Sequence, residues 1–192
     1  MLKKLLLGII LLLIIATGLL FSLRLVSDKS EVQTSERIVI SASEKVAIPQ
    51  IIKITSIGVH TNIESVGKDN AGRMANSSDS RNVAWYFPGY KPGELGSAVI
   101  SGHYDSIIGN PGVFFRLKEL KKGDEIHITD ISKKTYKFSV YDVREYETNK
   151  VPLNEIFNTY GKATLVLISC SGTWDKTTKD YSKRIVIYSV MK

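Results

Sequence analysis

The alternation of apolar and polar positions divides the chain into three stretches. From Leu5 to Leu23 no residue is charged, and at about 1.5 Å per residue such a helix crosses a bilayer core of about 30 Å. The run is apolar on every face, which suits a membrane span better than a core helix. Lys3 and Lys4 precede it and Arg24 closes it. The first pair favours a cytoplasmic N-terminus, and Arg24 opposes that vote. The segment ATGLLFS stays apolar past its small residues, so residues 1–24 are predicted to be an uncleaved single-pass anchor rather than a signal peptide. The next stretch, residues 25–50, is rich in Ser, Glu, Lys and Gln and is predicted to be a stalk.

Beyond it, residues 51–192 have the length of one domain with its own core. The runs IIKITSIGV, GSAVIS, DEIHITD, KTYKFSVYDVREYE, ATLVLIS and RIVIYSV are rich in β-branched and aromatic residues and predict strands. Turn signals such as KDNAGR, YKPGELG, IIGNPG and KKGD separate them. FFRLKEL and LNEIFNTYG have helical spacing over about two turns each. Many short strands with few short helices predict a mainly β domain, a barrel or sandwich, and argue against a parallel α/β sheet.

The net charge of +7 is spread along the chain, without the basic stripe and stacking aromatics that nucleic acid demands. It is read as solubility near an anionic envelope. A single cysteine, Cys170, excludes an internal disulfide, and a free thiol outside the cytoplasm needs either burial or a task. One cysteine and scattered histidines make no zinc ligand set, so no metal is expected in the chemistry, and no cofactor is expected; calcium on loop carboxylates stays an open alternative without an EF-hand pattern to argue for it.

The three histidines differ in setting. His127 alternates with Ile126 and Ile128 and is predicted to face solvent. His60 is placed in a polar turn, HTN. His103 follows a strand and a glycine in AVISGHYDS, a position that puts a side chain over a cleft. Cys170 stands where the strand ATLVLIS meets Ser171-Gly172. A lone cysteine is more often a small buried hydrophobe, but a thiol at a strand end is held rigidly and remains reachable. Arg184 opens RIVIYSV fourteen residues later, and two neighbouring strands joined by a broad loop would return it to Cys170. Each signal alone is weak. Together they supply a nucleophile, a proton carrier and an oxyanion donor.

GELGSAVISGHYDS, FFRLKELKKGDEI, TLVLISCSG and YSKRIVIYS resemble, in order, the signature segments of the sortases, cysteine transpeptidases of Gram-positive bacteria. The resemblance spans about Ile51 to Val190, and VFFRLKEL with the glycine after the cysteine is most similar to class F. It implies an eight-stranded sortase-type β-barrel behind an N-terminal anchor, with the domain extracellular. It also implies catalytic roles for His103, Cys170 and Arg184, and cleavage of an LPxTG-like sorting signal through a thioester on cysteine. Surface proteins bearing that signal would be the acyl donors, and lipid II or a pilin lysine would supply the amine. The loops KTTKDYSK and ETNKVPLNEIFNTYG would frame the peptide groove.

The family commonly has TLxTC before its nucleophile, whereas this chain has Leu167-Ile168-Ser169-Cys170. Ser169 keeps a hydroxyl and is a candidate for substrate contact or for capping a strand end. Asp105 is a second such candidate: it could orient the imidazole or make an Asx-type backbone bond. Alternatives are a hydrolytic cysteine peptidase using the same thiol, an L,D-transpeptidase, and a silent tethered binding domain with a buried Cys170. Ile168-Ser169 stands where an L,D-transpeptidase would show histidine and glycine.

Overall fold

The run IIKITSIGV is not one strand. Gly58 takes φ +72, a left-handed conformation that costs glycine little, and it turns the chain between two strands. β1 (Pro49–Ile54) leads through a 3-10 turn, Thr55–Ile57, to β2 (Val59–Val66). His60 therefore lies within β2, paired with Lys53, and not in the expected polar turn. This computed structural model describes residues 45–106, 108–157 and 160–192. The expected anchor and nearly all of the expected stalk lie outside them. No helix among the described residues is long and apolar enough to cross a membrane.

The remaining strands are β3 (Val83–Tyr86), β4 (Gly96–Gly102), β5 (Glu125–Asp130), β6 (Thr135–Glu147), β7 (Ala163–Asp175) and β8 (Asp180–Met191). They close into an eight-stranded barrel in the order β1-β2-β3-β4-β7-β8-β6-β5. The pairs β2–β3 and β4–β7 are parallel; the others are antiparallel. β3, with only four residues in NVAWYFPGY, was not anticipated from the sequence, being too short to show a period. FFRLKEL forms only the 3-10 turn Leu117–Glu119, and LNEIFNTYG holds one short helix, α1 (Leu153–Phe157). In both segments tertiary burial of a few apolar residues, Phe114 and Leu117 in one and Ile156 in the other, replaces helix length as the source of order.

Period-two alternation sorts each strand. In β7 Leu165 and Leu167 enter the barrel core with Ile54, Ile100, Phe138 and Ile187. Val166 belongs to a second apolar cluster with Val99, Val186 and Tyr188 on the outer face, covered by Ile156 of α1. The Ser97 hydroxyl donates to the Ile156 carbonyl at 2.5 Å, which ties α1 to β4. His127 alternates with buried Ile126 and Ile128 as expected, and its Nε2 lies 3.0 Å from Glu125 Oε2.

Candidate active site

The site grows from the outer face of β4, β7 and β8. Cys170 and Arg184 are direct partners in the β7–β8 ladder, so their side chains rise from one face with Cβ atoms about 5 Å apart. The ladder does not end there. β7 continues to Asp175, paired with Asp180, and one irregularity separates Ser171 from Trp174. The broad loop expected between the strands is thus a hairpin with a short tip, and Cys170 lies inside a strand rather than at its end. Gly172 makes this possible. Its φ is +81, and a Cβ there would lie 2.4 Å from Ser182 Oγ, so the bulge accepts glycine and little else.

On the other side of β7, the parallel pairing with β4 runs to Ser101–Ile168. Two residues further on stand His103, just past the end of β4, and Cys170, still within β7. Between them the Ser169 hydroxyl donates to the Gly102 carbonyl at 2.9 Å. Ser169 is only 3% exposed, so this hydroxyl stitches β7 to the end of β4.

The loop carrying His103 is pinned through its backbone. Phe114 N donates to His103 O at 2.9 Å, and Gly112 N donates to Tyr104 O at 2.8 Å. A Cβ on Gly112 would lie 2.4 Å from the His103 carbonyl oxygen. The His103 ring is half-buried, with Nε2 3.3 Å from the Ser77 carbonyl. A neutral ring that donates there has Nδ1 as its acceptor.

Arg184 is held by a dense set of acceptors. Nη2 donates to both Asp180 oxygens at 2.8 Å, while Nη1 reaches Thr148 Oγ1 at 3.0 Å and the carbonyls of Tyr181 and Lys183 at 3.1 and 3.0 Å. The pair's side chains are 20% and 40% exposed, so solvent weakens their attraction only in part. Burial pushes the Cys170 thiol above the ordinary cysteine value; nearby Arg184 pulls it down, and Asp180 and Asp105 push it up again. The resting sulfur is therefore mainly a thiol at neutral pH.

Asp105 makes a different contact from either expected. Its carboxylate accepts a short hydrogen bond from Tyr181 Oη, which pushes the Tyr181 phenol up to about 12. The structure thus sets Cys170 and Arg184 on one face as ladder partners, with His103 just past the end of neighbouring β4, Ser169 beneath and Asp105 to one side. Sequence reasoning did not single out Asp180, Tyr181, Thr148 or Ser77. The first two lie in KTTKDYSK, whose polarity was legible, but their partners come from distant parts of the chain. Among the described residues no three His, Cys, Asp or Glu side chains gather to hold a metal ion.

A closed eight-stranded barrel with a half-buried thiol beside an anchored guanidinium, and an imidazole loop at the end of the adjacent strand, defines a class. The family model for the sortase domain matches residues 52–192, and the chain belongs to the sortase family of cysteine transpeptidases. Similar solved structures include a lid mutant of sortase A from Corynebacterium diphtheriae. It is 23% identical with a TM-score of 0.59, over 79% of this chain and 73% of that one. Sortase C-1 from Actinomyces oris is 21% identical with a TM-score of 0.57, over 74% of this chain and 71% of that one. The Sortase D5 transpeptidase from Clostridium perfringens is 20% identical with a TM-score of 0.56, over 82% of this chain and 88% of that one. These likenesses concern the fold. No curated protein matches the sequence.

Proposed function

We propose that the protein cleaves an LPxTG-like sorting signal between threonine and glycine and passes the acyl group to an amine. The observation that carries this reading is the direct pairing of Cys170 with Arg184, beside a loop that holds His103. Cys170 thiolate attacks the scissile carbonyl carbon, and the carbonyl electrons move to oxygen. Arg184 donates to that oxyanion. The oxyanion collapses to a thioester as the C–N bond breaks, and His103 imidazolium gives its proton to the leaving amine. The acceptor amine then attacks the thioester and yields a proton to His103. The Cys170 thiolate leaves.

Burial raises the thiol of Cys170, so the reactive thiolate is a minority form at neutral pH. The acyl donors are surface proteins bearing the signal, and the acceptor is a lipid II amine or a pilin lysine. Residues 1–24 anchor the chain with the catalytic domain outside the cell, in keeping with the uncharged run Leu5 to Leu23. The VFFRLKEL segment and the glycine after Cys170-Ser171 favour a class F enzyme. The partners Ser169 and Asp105 find inside the protein support positioning rather than contact with the peptide.

Mass spectrometry of the full-length chain with an LPETG peptide, with and without triglycine, tests the proposal. An amine-dependent conjugate, lost in Cys170→Ala, supports it. Release of free acid irrespective of amine would identify a hydrolase. No turnover, with a Cys170 that resists alkylation in the native protein, would identify a binding domain.

A further inference from the structure

His103 and Arg184 lie on opposite sides of Cys170, because β7 separates β4 from β8 in the barrel. Adjacent strands are about 4.8 Å apart, so the two groups must be kept in relative position across about 10 Å. The backbone ladders do this only in part, since β4 ends at Gly102, one residue before the histidine. One side chain spans the gap. Tyr181 Oη donates to Asp105, two residues beyond His103, while the Tyr181 carbonyl accepts from Arg184 Nη1 at 3.1 Å and from Thr148 Oγ1 at 2.7 Å.

Its ring is clamped as well, with centroids 5.3 Å from Tyr104 and 5.2 Å from Trp174. Tyr104 in turn rests on Phe115 at 4.9 Å. The aromatic contacts resist tilting of the phenol, and the hydrogen bond fixes where its tip lands.

We propose that Tyr181 is a positioning residue whose hydroxyl bond to Asp105 couples the loop bearing His103 to the strand bearing Arg184. This rests on the catalytic roles assigned above to those two residues. A bond to an ionised carboxylate is stronger than a neutral one, and reacting groups displaced by about 1 Å lose about a hundredfold in rate. Losing the hydroxyl while keeping the ring releases the loop only partly, so a smaller effect, on kcat rather than on KM, is expected.

The test uses the full-length chain in detergent micelles, an LPETG peptide and triglycine. Tyr181→Phe and Asp105→Asn are each expected to lower kcat about tenfold with KM within about twofold, and the double variant to be no slower than either single. A Tyr181→Phe kcat within about twofold of the parent, or two losses that multiply in the double variant, would overturn the coupling. Cys170→Ala, His103→Ala and Arg184→Ala run alongside. Turnover within about twofold of the parent in any of these would overturn the catalytic assignment itself, a failure distinct from normal turnover in Tyr181→Phe alone.

Discussion

The two faces of β7 perform different tasks over the same few residues. Leu165, Leu167 and Ser169 point into the barrel and are buried, while Val166, Ile168 and Cys170 point outward. On the inner face the side chains interlock, and the last of them, Ser169, satisfies a neighbouring carbonyl. On the outer face the apolar cover gives out at Cys170, and the thiol is left half-buried. A packed inner face makes the strand rigid. That rigidity is what allows a single outward residue to be aimed.

The contrast predicts that outward changes alter chemistry and inward changes alter stability. Cys170→Ala should lower transpeptidation by at least about 10⁴-fold and leave the melting temperature nearly unchanged. Peptide turnover and a thermal melt check this, and a melt lowered as far as by a core cavity would break the comparison. Arg184→Ala should lower kcat about 10²- to 10³-fold, measured with saturating peptide.

Leu167→Ala, on the opposite face, should cost about 2–5 kcal/mol in urea unfolding while the rate per folded molecule holds. Ser169→Ala leaves the Gly102 carbonyl without its donor and should cost about 1 kcal/mol, read from the same unfolding curves. The smallest effect concerns protons. Burial raises the folded-state value of Cys170 above its unfolded value, so the protonated thiol is favoured in the fold. That contribution to stability is complete below the unfolded value and is lost as pH rises through the folded one. Iodoacetamide alkylation should accordingly show a midpoint above the ordinary cysteine value. Asp180→Asn, which removes a carboxylate that pushes the thiol up, should shift the profile to lower pH.

Much of the fold was visible before any coordinates. The inward and outward positions of β5 and the apolar strands β4, β6, β7 and β8 follow from period-two alternation. The four-residue β3, the division of IIKITSIGV at Gly58 and the extension of β7 past Cys170 did not. Each depends on pairing with a distant strand or on one glycine's backbone angle. Around the site, residue types were legible and partners were not. Asp105 looked like a local turn former, yet it bonds Tyr181, 76 positions away. Arg184 looked free to receive an oxyanion, yet Asp180 already holds it with both oxygens.

The sequence by itself determined the alternation of faces, the single thiol and the supply of an imidazole and a guanidinium at the ends of apolar runs, because these are local properties of the chain. Only the tertiary structure decided which strands carry these groups side by side. The parallel β4–β7 pairing brings residues 67 apart together, and the bulge at Gly172 lets the β7–β8 hairpin extend beyond Cys170. Such contacts depend on closing long loops around a common core, and local periodicity contains no record of which distant strand will be the neighbour.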